Sequence, residues 1–90
     1  MNKKRLQDLL DAETNGWSRK SIDSLVKELT DVVSYGRGSE DDFHQFEVQM
    51  IEQEPDYVHV IVSIDDGSFL KSFAPLTRGF IVHRDGRVDN

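Results

Sequence analysis

The chain has 90 residues, 37% of them apolar and 31% charged, and 17 acids against 11 bases give a net charge of −6. That length makes one domain over residues 1–90 and excludes a second, because so short a chain buries only somewhat more than about 60% of the surface it exposes when unfolded. The acid excess repels polyanions on average and argues against a nucleic-acid partner, whose affinity rests on neutralised phosphates.

With no cysteine, disulfides, thiolate metal sites and a thiol nucleophile are excluded, and a reducing compartment is the better fit. The longest uncharged apolar run, residues 58–64, is interrupted by His59 and Ser63. It falls far short of the roughly 20 residues that cross a bilayer. Lys3-Lys4-Arg5 leads into a pattern rich in Asp and Gln rather than the apolar segment of a signal peptide. A cytoplasmic protein without membrane contact is the expectation.

The first third has helical period. Leu6, Leu9 and Leu10 fall at i, i+3, i+4, and Asn15-Gly16 reads as the stop of a first helix. A second helix follows, with Ile22, Leu25, Val26, Leu29, Val32 and Val33 as one stripe that runs to Tyr35-Gly36. Ser18 is its expected N-cap. Trp17 and Ile22 then take the N′ and N4 places of a hydrophobic staple.

Residues 36–42, GRGSEDD, read as a loop, after which the period changes to two. Phe46, Val48 and Met50 make one face of a strand, residues 52–56 turn around Pro55, and Val58, Val60, Val62 and Ile64 face the same side of the next strand. The expected pairs are Met50 with Val58, Val48 with Val60 and Phe46 with Val62. Asp66-Gly67 is a type I′ hairpin signal that sets Ile64 opposite Phe69 and Val60 opposite Phe73. It also points Lys71 toward the core, which leaves that register open. Residues 74–79, APLTRG, read as a turn, residues 80–83 as a fourth strand, and Asp85-Gly86 as a hairpin before a short terminal strand at 87–89. A striped helix layer and a one-faced sheet cover each other. The expected fold is therefore α+β, with two N-terminal helices on one face of a four- or five-stranded antiparallel meander.

Chemistry is sparse. His44 faces inward and His59 outward, and His83 is expected about 13 Å from His59 along the sheet, too far to share a metal ion. No G-x-S-x-G elbow is present. Gly36 and Gly38 lie between a helix and a strand with acids beside them, so they do not cradle phosphate. No Asp-rich calcium loop occurs. No catalytic residue, cofactor or metal is assigned, and the chain is not expected to be an enzyme.

Two surface features remain. Glu40, Asp41 and Asp42 come near Asp65-Asp66 at one end of an antiparallel sheet, an acidic end suited to a basic partner. Leu76 and Arg78, on the expected 74–79 turn, form a second contact candidate. The reading is a small acidic protein-binding module, acting alone or as a homodimer through its sheet, with an inhibitor or neutraliser of a basic protein as its concrete form. The alternatives are a ligand-binding or enzymatic domain with a pocket between helix and sheet, and a structural subunit assembling through a sheet edge.

Overall fold

The computed structural model describes residues 3–40, 42–65 and 76–90. Two helices, α1 (Lys3–Ser18) and α2 (Ile22–Glu28), precede five strands: β1 (Val33–Arg37), β2 (His44–Gln53), β3 (Tyr57–Asp65), β4 (Leu76–His83) and β5 (Val88–Asp89). The strands form one antiparallel sheet in the order β1-β2-β3-β4-β5. The helices lie on one face of this meander, the α+β arrangement expected from the two sequence periods.

α1 does not stop at Gly16. A helical glycine costs about 1 kcal/mol, but the apolar stripe continues through it: Leu10 and Thr14 are buried, and Trp17 packs against the core. Tertiary packing outweighs local propensity here. The N-cap of α2 is therefore Ser21 rather than Ser18. Ser21 is extended (φ −70°, ψ 160°), and its hydroxyl accepts a hydrogen bond from the Ser24 amide at 3.1 Å. The expected staple is absent too, because Trp17 belongs to α1 and its indole N–H donates to the Tyr35 hydroxyl at 2.8 Å.

α2 is much shorter than its stripe. Leu29 caps it, and the Thr30 hydroxyl donates to the carbonyls of Val26 and Lys27. Thr30, Val32 and Val33 are β-branched and favour extended backbone. Val32 is exposed, and Val33, Tyr35 and Gly36 lie in β1 instead of a helix. The expected 36–42 loop accordingly begins only after Arg37.

The β2–β3 hairpin keeps the expected inward face but not the expected register. Phe46 pairs with Ile64, Val48 with Val62 and Met50 with Val60, and a bulge at Ile51 then brings Glu52 opposite His59. The register is shifted by two residues, which leaves every side chain on its original face. β3's other neighbour is β4, not a strand over 68–73: Val60 lies opposite Phe80 and Ile64 opposite Leu76. The 76–79 part of the expected turn is thus strand. The Asp66-Gly67 hairpin, the Phe69 and Phe73 partners and the orientation of Lys71 lie outside the described residues.

The core joins Leu10, Ile22, Leu25 and Leu29 from the helix layer to Phe46, Val48, Val58, Val60, Val62, Ile64, Phe80 and Val82 from the sheet. All sit at or below 6% exposure. α1 packs mainly on β3 and β4, which leaves β1 at the flank of the helix layer.

Candidate protein-binding face

Strand alternation divides the sheet into a core face and an open face, and the open face is where the unassigned side chains collect. Pairing places Ser34 and Gly36 of β1 there with Glu47 and Gln45 of β2. Tyr57, His59, Ile61, Ser63 and Asp65 of β3 join them, as do Thr77, Gly79, Ile81 and His83 of β4. Among the described residues no helix covers this side.

Two glycines flatten it. A Cβ on Gly36 would meet the Phe43 ring at 2.6 Å, and one on Gly79 would lie 3.2 Å from His59 Nε2. Each ring therefore lies across a strand where any larger residue would lift it off, an aromatic cover over a strand glycine. Phe43 and Ile51 stay about half exposed. Tyr57 and His83 stack loosely, with ring centroids 6.2 Å apart.

The charges on this face are one-sided. Its strand positions hold Glu47, Glu52, Asp65 and Asp89, and no lysine or arginine among the described residues. Arg87 reaches only the margin, 3.3 Å from the His83 ring. The other cations lie toward the helices, where Arg37 pairs with Glu13, Arg78 with Asp11, Lys20 with Glu28 and Arg84 with Asp23. Hydrogen bonding to His83 holds the Asp89 carboxyl below its usual range. Hydrogen bonding to Glu52 raises the Tyr57 hydroxyl above its usual value.

Within the face is a shallow depression of about 170 Å³, lined by Ser34, Gln45, Glu47, Ser63, Ile64 and Asp65. Two carboxylates, two hydroxyls and a side-chain amide make its wall rich in acceptors. At about 170 Å³ it is smaller than the roughly 300 Å³ of an ordinary small-molecule site.

The sequence-expected contact residues divide. Glu40 is exposed in the loop after β1, Asp41 lies outside the described residues, and Asp65 closes β3 opposite Gln45. Asp42 is engaged by Arg5 of α1, whose hydrogen bond holds its carboxyl below the usual range, so this end of the sheet carries a cation among its acids. Leu76 is not a turn residue awaiting a partner. It pairs with Ile64 and packs against the core. Arg78, also in β4, reaches Asp11 of α1 at 3.0 Å. Only Asp65 of the six belongs to the depression. Glu47, its counterpart, was visible as a polar residue alternating with Val48, but nothing in the sequence distinguished it from other solvated strand positions.

His44 faces inward and His59 outward as expected, but the separation of His59 and His83 differs. His83 lies opposite Tyr57 and His59 opposite Ile81, so the two occupy diagonal positions on one face, about 7–8 Å apart by sheet geometry instead of about 13 Å. His44 faces the core, edge-on to Phe46 at 5.3 Å. Among the described residues no three His, Asp or Glu side chains converge on a point that could hold a metal ion, and no helix is long and apolar enough to cross a membrane. Neither a protein-family model, nor a curated protein, nor a solved structure matches this chain, so geometry and charge alone support a functional reading.

Proposed function

We propose that the chain is a non-catalytic protein-binding module that receives a basic protein on the open face of its sheet. A lysine or arginine of the partner enters the depression between Glu47 and Asp65. The observation that carries this reading is the sorting of charge: acids line the open face while the described lysines and arginines lie toward the helices or at its margin. A flat face of half-exposed Phe43 and partly buried Ile61 and Ile81, with acceptors around it, resembles the centre and rim of a protein interface. Complementary charge speeds encounter and rejects acidic competitors. An inhibitor or neutraliser of a basic protein is the concrete form, and the cytoplasm is the proposed setting for a cysteine-free chain.

The test uses a Glu47→Gln, Asp65→Asn variant against basic proteins recovered from the native cell on the immobilised domain. Association should slow at least tenfold with an unchanged circular dichroism spectrum, and the salt dependence should flatten. Association at the wild-type rate would remove the depression from the interface.

A further inference from the structure

The two edges of the sheet are unequal. β5 contributes two residues, whereas β1 presents five, Val33–Arg37, with no strand on its outer side among the described residues. Natural edges of this kind are blunted by proline, by charged side chains or by a covering element. In VSYGR the one such residue is Arg37 at the strand's end, where Glu13 of α1 holds it, and Val33–Gly36 carry neither charge nor proline.

Beside this edge, on the helix side, runs a groove of about 560 Å³ between α1 and β1, with Trp17, Tyr35, Val33, Glu13, Lys20 and Arg37 along it. Its charges are matched internally. Arg37 is held by Glu13 at 3.2 Å and Lys20 by Glu28 at 3.1 Å. Glu13 also accepts from the Tyr35 hydroxyl at 2.6 Å, and that hydroxyl accepts from Trp17. The two cations lie over the two rings, Lys20 at 5.2 Å from Trp17 and Arg37 at 5.4 Å from Tyr35. What the groove offers an incoming group is therefore the part-buried surface of Trp17, Tyr35 and Val33, set among ion pairs that balance one another and leave no net charge.

A strand added to β1 points alternate side chains to opposite faces. One set would enter the Trp17–Tyr35 groove. The other would lie on the open face beside Ser34, with Glu47 one strand further in. Two strand spacings are about 10 Å, a gap that an extended lysine and glutamate close between them. A second copy of the chain is the poorer occupant, because it brings another −6 of charge to the same place.

We infer that β1 is a β-augmentation site for an extended segment in which apolar residues, facing the Trp17–Tyr35 groove, alternate with basic residues facing Glu47. The inference rests on the basic-partner reading and adds to it a backbone-paired segment with a defined pattern. Main-chain hydrogen bonds supply affinity in this mode, and the alternating pockets supply specificity.

The probe is a capped seven-residue peptide of alternating lysine and valine. All the perturbations are made in the peptide, so the domain stays intact. Trp17 is the only tryptophan, and its emission reports on the groove directly. Binding should shift that emission and slow amide exchange across residues 33–37 at least tenfold. A lysine–serine peptide should bind at least tenfold more weakly. So should one of two isomers N-methylated on alternate amides, the one whose blocked edge faces β1. The inference is overturned if both isomers bind like the parent, if Trp17 emission and β1 exchange do not respond, or if no peptide binds at millimolar concentration. A concentration-dependent dimer in sedimentation that displaces the peptide also overturns it, in favour of a second copy. Peptide binding without any response at Trp17 and β1 would leave the basic-partner reading standing. A glutamate–valine peptide that binds as well as the lysine–valine one would instead overturn that reading.

Discussion

Gly38 and Gly86 provide an internally controlled test of the loop that carries Glu40 and Asp42. Both have positive φ, +100° and +95°, a region in which an L side chain costs roughly 1–2 kcal/mol. Replacing glycine by alanine also removes unfolded-state freedom, which returns about 0.4–1 kcal/mol. Gly86→Ala meets nothing within 4 Å, so its net cost should be about 1 kcal/mol. At Gly38 a Cβ would overlap the carbonyl oxygen of Asp42, a backbone atom that cannot swing aside. Forced repacking of that kind adds about 1–3 kcal/mol, which brings Gly38→Ala to about 2–4 kcal/mol. For a domain of this size each kcal/mol lowers the melting temperature by about 4–8 °C. Urea titration of the wild type and the two variants, with m-values compared to confirm equivalent transitions, measures the difference directly. Equal losses at the two glycines would refute the steric argument. They would also mean that the loop does not hold Asp42 against Gly38.

Leu25 is fully buried between α2 and the sheet, so Leu25→Ala should cost about 2–5 kcal/mol; a loss below about 0.5 kcal/mol in urea would mean that the short helix does not pack. Burial first, then the hydrogen bond to Glu13, pushes the Tyr35 hydroxyl up to about 12 from an ordinary 10.0. Because the folded value is the higher one, the associated stability is complete below pH 10 and is lost as pH rises from 10 through about 12. Near-UV absorbance titration of wild type and Tyr35→Phe should show the latest-ionising phenol disappear in the variant, and a late phenol that persists would contradict the assignment. Micromolar zinc or calcium should leave the melting temperature unchanged, since the described histidines and carboxylates do not converge; a reproducible rise of several degrees would contradict that geometry.

Face assignment was legible in the sequence where register was not. Phe46, Val48, Val58, Val60, Val62 and Ile64 all face the core as their alternation requires. A period of two fixes parity, however, and parity survives a two-residue shift. The turn at residues 54–56 and the bulge at Ile51 selected the actual pairs: Pro55 marked the turn without fixing its length, and the bulge leaves no distinctive composition. In the same way the Asp66-Gly67 signal set Phe73 opposite Val60, where the sheet places Phe80, an equally apolar residue. Gly79 suggested a turn because the ring that covers it, His59, is 20 positions away in the chain. The boundary between α2 and β1 was obscured because Val32 and Val33 continue a helical stripe while belonging to extended backbone. The candidate face was the least legible part. Its charge asymmetry depends on which strand neighbours which, and Glu47 and Asp65 approach one another only through the observed register.

Sheet order equal to chain order has a kinetic consequence. Each described strand pairs with its neighbour in sequence, so much of the sheet can assemble by successive short-range closures, whose entropic cost grows only slowly with loop length. The helix layer differs: α1, at the beginning of the chain, packs chiefly on β3 and β4 near its end. Docking α1 is therefore the large long-range closure in the fold, and non-local contacts of this kind slow folding. Until it happens, the row from Met50 through Val60 to Phe80 faces solvent as a continuous apolar surface. A chain still emerging from the ribosome would already have α1 in hand but only the β3 part of its docking surface until β4 is complete.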